Sequence, residues 1–220
     1  MNDNRINYRN YHPNIRENDP VYLLYHIEQL LEIAKEFKNS SSLIYACLDA
    51  RITLELLDLK LILASVKPEE RAQIIEDSKP KNGIERMNQK TGSLKERYQL
   101  FFESVCEVLN VDAKCYNYKK SKELQHKLST YIHSYYMTEE EINFESKVMQ
   151  RAFTLISEVE NFVKGSLAFE GDAYSILGIE IKSIPDEDKI LLDEWKNNQK
   201  MDVNELKGKL KNNQINRKNI

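Results

Sequence analysis

Glycine and proline are scarce in this chain, six and five among 220 residues. Long stretches hold neither, so little interrupts helix, and helix is the default state across most of the sequence. Cysteine is sparser still. Cys47, Cys106 and Cys115 are odd in number and show no metal-ligand spacing, which argues against a disulfide framework and against a zinc site. No two histidines stand at His-Glu-x-x-His spacing, and no Gly-x4-Gly-Lys-Ser/Thr phosphate loop is present, so neither a metal nor another cofactor is expected. An uncharged membrane-length run is also missing. The most apolar segment, Ser42 to Val66, carries Asp49, Arg51, Glu55, Asp58 and Lys60, too many charges to span a bilayer. The opening MNDNRINYRNYHPN is polar throughout and lacks the apolar stretch of a secretory leader, so the protein is expected to be cytoplasmic. A net charge of −3 removes any global electrostatic argument for nucleic acid; such an argument has to be local.

What is present is amphipathic helix. Asp19 followed by Pro20 is a helix start, and Leu23, Leu24, Ile27, Leu30, Leu31 and Ala34 then recur at threes and fours to about Phe37. Ser40, Ser41 and Ser42 offer caps for a second helix from about Ser42 to Val66. Its seam Leu43, Cys47, Ala50, Leu54, Leu57, Leu61 is broadened by Ile44, Ile52, Leu56, Leu59, Ile62 and Leu63, as in the central helix of a bundle. After a connecting region with a short helix near Glu69–Glu76 and a break at 79–83, a helix is predicted from about Ser93 to Leu109. Its core face is Leu94, Tyr98, Phe101, Phe102, Val105 and Val108. Thr138-Glu-Glu-Glu141 is a capping box opening the last long helix, with the seam Met149, Ala152, Ile156, Val159 and Val163. The fold class is therefore all-α, an antiparallel helical bundle over 20–168, preceded by a polar arm at 1–19 and followed by a C-terminal extension at 169–220. In that extension 173–184 reads as extended and Pro185 to Asn198 as a short helix carrying Trp195. The tail from Lys196 has seven basic residues against two acids and is expected to fray. Ile190, Leu191 and Trp195 offer an apolar contact for a partner protein or for the bundle itself.

The local charge argument lies at Ala113 to Met137, AKCYNYKKSKELQHKLSTYIHSYYM. This stretch gathers five lysines against one acid, five of the twelve tyrosines and two of the four histidines. As a helix over Lys119–Tyr135, with about 100° between residues, it places Leu124, Leu128, Tyr131 and Tyr135 on one face, the side that packs. Lys122, His126, Ser129 and His133 fall on the other, with Tyr136 beside them. Imidazole titrates near neutrality and serves as general acid or base, lysine steadies phosphate charge, and tyrosine stacks on bases. The same face is equally the composition of an ordinary solvated helix surface. Arg51, Glu55 and Asp58, at i, i+4 and i+7, read either as an ion-pair ladder or as a polar cluster that orients His133.

The run Leu128-Ser-Thr-Tyr-Ile-His133-Ser-Tyr135, together with Ala46-Cys-Leu-Asp-Ala-Arg51-Ile-Thr-Leu-Glu55, resembles HEPN domains (higher eukaryotes and prokaryotes nucleotide-binding). The resemblance covers roughly 20–168. These are helical bundles of toxin–antitoxin and antiphage systems, many of them metal-independent endoribonucleases with a composite site in a homodimer. Their signature is Arg, four to six residues, then His, with Tyr two residues later in one branch. The resemblance implies His133 as the catalytic acid/base and Tyr135 as the matching tyrosine; the lysine-rich helix itself offers Ser129 beside them and Lys119, Lys122, His126, Lys127 and Tyr136 as an RNA-binding set. The motif arginine is absent: Leu128 holds its usual place. Two functions follow as expectations. One is an HEPN-like RNA-binding protein acting as a metal-independent endoribonuclease of a toxin or defence system. The other is a non-catalytic module for dimerisation and for holding a partner protein through residues 169–220.

Overall fold

The computed structural model describes residues 18–109, 115–166, 175–176, 179–180, 185–198 and 201–219. The described chain is all-α apart from an antiparallel pair of two-residue strands, β1 (Ser175–Ile176) and β2 (Ile179–Glu180). Most of the polar arm, Lys114, and the remainder of the segment expected to be extended lie outside the described residues. By contact the chain forms two compact units, Met1–Leu57 with Asn117–Val163, and Asp58–Tyr116 with Lys164–Ile220.

In the first unit α1 (Pro20–Glu36) starts where Asp19 predicts: its carboxylate accepts from the amides of Val21 (2.8 Å) and Tyr22 (3.1 Å), two of the donors a helix start leaves unmet. Leu23, Leu24, Ile27 and Ala34 are fully buried. Lys38, at φ 50°, ends the turn after α1, and α2 (Ser40–Ser65) follows at once. Asn39, rather than one of the serines, caps it, accepting from the Ser42 amide at 3.1 Å. The α2 seam is buried throughout, and Ile44, Ile52 and Leu56 beside it are half-buried. Polar groups interrupt this apolar helix, Asp49 and Thr53 among them. Asp49, almost wholly buried, takes a 2.6 Å contact from His26 Nδ1 on α1, and Thr53 returns its hydroxyl to the Asp49 carbonyl. A buried carboxylate is stable only with such partners, so the pair fixes α1 against α2.

The unit continues with α6 (Tyr118–Ile132), α7 (Glu139–Ile142) and α8 (Lys147–Ser166). Two boundaries differ from the sequence reading. The capping box at Thr138 is formed, but it opens only the single turn α7. Asn143 then leaves helical geometry (φ −55°, ψ 132°), and Ser146 caps the start of α8 by accepting from the Met149 amide. The seam Met149, Ala152, Ile156, Val159, Val163 is buried as its spacing predicts. The second difference, the end of α6, bears on the candidate site and is treated there.

In the second unit, the end of α2 meets α3 (Arg71–Ser78) and α4 (Gly83–Lys90), the latter read from sequence only as a break and connector. Ile62, Val66, Ile74 and Met87 form one apolar cluster there. Gly83 is required: a Cβ at this position would overlap the Ser78 carbonyl. On α5 (Gly92–Leu109) Phe102, Val105 and Val108 are buried. Asp58, on α2 but fully buried in this unit, accepts from Tyr116 Oη at 2.7 Å. Residues 201–219 of the C-terminal tail do not fray. They carry α10 (Val203–Lys218), which packs on α5 and on α9 (Asp186–Asn198), with Leu206 and Leu210 fully buried. Glu107 on α5 takes Lys207 and Lys211, and Arg217 binds Glu187 and the buried Asp188, so these three of the tail's cations are paired inside the unit. Trp195 and Leu192 are buried here too, and Ile190 is exposed.

Candidate nucleic-acid interface

Asn117 caps α6 by accepting from the Lys120 amide at 2.9 Å, and the run of Lys, Glu, Leu and Gln that follows consists of good helix formers. Leu124 and Leu128 turn inward with Ser121 and Gln125. The remaining surface divides by charge. On one flank Lys120 pairs with Glu158 (2.6 Å) and Glu123, and Lys127 pairs with Glu123 (2.6 Å). Lys127 at once holds the Glu123 carboxyl below its usual range, with Lys120 adding to the effect. Donation to the Glu158 carboxylate holds the Lys120 ammonium above its own. Two of the cluster's lysines thus serve ion pairs. The other flank carries the exposed Lys119, His126 and His133 with the half-buried Lys122 and Ser129. Lys122 donates to Gln125 Oε1 at 3.1 Å and lies over the Tyr118 ring.

At the edge of this flank α2 contributes a cation that the α6 sequence lacks. Arg51 Nη1 donates to Ser129 Oγ at 2.9 Å, and its Nε donates to Glu55 Oε1 at 3.0 Å. Ser129 Oγ in turn donates to the Gln125 carbonyl at 2.8 Å. The Arg51 side chain is 33% exposed and Glu55 35%, so the guanidinium is oriented by two partners yet open to solvent. Ser129 lies three residues after His126 and four before His133, the spacings that make helix neighbours. The structure therefore joins Arg51, Glu55 and Ser129 directly, and helix spacing sets the exposed His126 and His133 on either side of Ser129. Asp58 is not among them, because it serves Tyr116 in the other unit.

The helix stops at Ile132, three residues short of the predicted end. His133 (φ −93°, ψ 51°) is its C-cap, still bonded from its amide to the Ser129 carbonyl, and Ser134–Tyr136 form a 3₁₀ turn. Thr138 must be extended (φ −71°, ψ 163°) to cap α7, and the chain has only residues 133–137 in which to leave one helix and start the next. Tyr135 consequently leaves the apolar stripe on which a longer helix would place it. It is 87% exposed, and Tyr136 is 59% exposed. Their rings meet edge to face with centroids 5.2 Å apart, and the His133 ring lies 6.5 Å from Tyr135. Beyond the turn, Glu139, Glu140 and Glu141 put negative charge on α7.

Other groups bear less on anion chemistry. A groove of about 340 Å³ between α1 and α8, lined by Glu28, Glu32, Lys35 and Glu160 among others, sets three carboxylates against one ammonium and disfavours phosphate. Burial pushes the Cys47 thiol up to about 12, and burial with the nearby Glu103 does the same to Cys115 in the other unit, so neither is a ready thiolate nucleophile. Among the described residues no three His, Cys, Asp or Glu side chains gather as a metal site, and no helix is long and apolar enough to cross a membrane.

Sequence reasoning missed the Arg51–Ser129 and His26–Asp49 contacts. The available signal was polar residues inside an apolar helix, since Asp49, Arg51 and Thr53 on α2 all need partners. Compared with protein-family models, with curated proteins and with solved structures, the chain matches none.

Proposed function

We propose that the open flank of α6 binds RNA and cleaves it without a metal, in the manner the HEPN resemblance implies. The observation that carries this reading is the Arg51 guanidinium standing beside Ser129, one turn before the exposed His133. A guanidinium offers a phosphate two donors in one plane, which lysine cannot, and here α2 supplies it in place of the missing motif arginine. Cleavage needs one group to take the ribose 2′-hydroxyl proton as that oxygen attacks phosphorus. A second group gives a proton to the departing 5′-oxygen, leaving a 2′,3′-cyclic phosphate and a 5′-hydroxyl. His126 and His133 are seven residues apart, about 10 Å along the axis, too far to share one phosphate. In this reading the two imidazoles are His133 from each of two copies meeting about a two-fold axis. Lys119 and Lys122 hold the flanking phosphates.

The test is digestion of single RNA substrates in a chelator by wild type, His133→Ala and Arg51→Ala. Wild type should leave cyclic-phosphate ends, His133→Ala should abolish them, and Arg51→Ala should weaken binding. Cleavage by His133→Ala at the wild-type rate would end the catalytic reading. One observation favours the alternative of a non-catalytic interaction module: Glu55 already neutralises part of the Arg51 charge. Expression discriminates the two, since an active ribonuclease slows growth of its host and an adaptor does not.

A further inference from the structure

We infer that Tyr135 and Tyr136 form a stacking subsite for an unpaired purine base of the strand that lies along α6; the inference rests on the reading of that flank as an RNA surface. Two phenol rings exposed side by side offer a flat π-surface that a planar ligand can cover. Tyr135 and Tyr136 pack on each other edge to face at 5.2 Å while remaining 87% and 59% exposed. The turn that carries them begins at the α6 C-cap, so the platform adjoins His133, whose ring lies 6.5 Å away.

Charge sets which part of a nucleotide comes here. Cations and imidazoles line α6 from Lys122 to His133, about 16 Å by helix rise, and the glutamates of α7 begin directly past the turn. A phosphate is attracted by the first and repelled by the second, so the backbone stays on α6. The neutral rings between them meet a base. Every base has a π-face, but bases in a duplex spend theirs on each other, so only an unpaired one can stack on the platform. A bicyclic purine overlaps a phenol ring more than a pyrimidine does, and preferences of this kind come from stacking strength rather than hydrogen bonding.

The experiment measures binding of the full-length protein by fluorescence anisotropy to three labelled RNAs: an all-uridine strand, the same strand with one central adenine, and the adenine strand annealed to its complement. Wild type is compared with Tyr135→Phe and with the double variant Tyr135→Ala/Tyr136→Ala, whose positions are exposed enough to leave folding intact, as circular dichroism verifies. Wild type should bind the adenine strand several-fold tighter than all-uridine and more tightly still than the duplex. The double variant should lose about tenfold on the adenine strand, the worth of roughly one stacked base, and none on the duplex. Tyr135→Phe should behave as wild type. Equal binding of strand and duplex, or an unchanged affinity in the double variant, overturns the subsite while leaving RNA binding by α6 standing. Unchanged affinity with an altered oligomeric state assigns the turn to a second copy of the chain. If wild type binds none of the three RNAs, the reading of α6 fails, and the subsite with it.

Discussion

Replacing Arg51 and Ser129 singly and together measures the contact on which the site is built. The bond between them joins a charged donor to a neutral hydroxyl at 2.9 Å, with the arginine 33% exposed. Hydrogen bonds to charged groups contribute about 1.5–3 kcal/mol when well shielded, and water competing at a one-third-exposed guanidinium lowers this to a coupling of about 1 kcal/mol. The pair with Glu55 spans one helical turn and is equally open, so it adds about 0.3–0.5 kcal/mol. Arg51→Ala should therefore cost about 1.5 kcal/mol in all, Ser129→Ala about 1 kcal/mol, and the double variant about 1 kcal/mol less than their sum. Urea unfolding followed by circular dichroism gives the four stabilities, provided the slope with denaturant does not change. A coupling below about 0.3 kcal/mol, the level at which distant sites already add, would show that the two side chains do not hold each other in solution. The same arginine variant provides a functional readout. If Arg51 neutralises one phosphate of a single strand, its removal should lower the slope of log affinity against log salt by about 0.7. An unchanged slope would place Arg51 off the path of the strand.

Two further outcomes concern the second unit. Tyr116→Phe removes the 2.7 Å bond to the buried Asp58 and should cost about 1.5–3 kcal/mol, because the carboxylate loses a partner where water does not replace it; a cost near zero would contradict the buried geometry. The docking of α10 should weaken in acid. Lys207 holds the Glu107 carboxyl below its ordinary value near 4.5, and Arg217 holds Glu187 below its own, so both contributions are complete above that value and are lost as pH falls through the depressed ones. Trp195, buried on α9 and the only tryptophan, should report this as a red shift of emission on acidification. The shift should be smaller in Glu107→Gln, and an identical acid profile in that variant would assign it to other groups.

The sequence determined what is local. Asp19 before Pro20 set the start of α1. The spacing of Leu43, Cys47, Ala50, Leu54, Leu57 and Leu61 set the buried face of α2, and that of Met149 to Val163 the buried face of α8, because side chains at threes and fours share one side of a helix whatever surrounds it. Tertiary structure decided what depends on neighbours. Arg51 meets Ser129 across 78 residues and Tyr116 meets Asp58 across 58, contacts that exist only once particular helices lie side by side. Leu206 and Leu210 stand in a polar tail with little apolar pattern of its own, and only packing of α10 on α5 and α9 gives them an interior to enter. Tyr135 shows the same limit at one position. Its periodicity assigned it to the core, but the early stop of α6, imposed by the cap that begins α7, put it in water. A helical period predicts where a side chain points for as long as the helix lasts, and where this helix ends was settled by the chain on its far side.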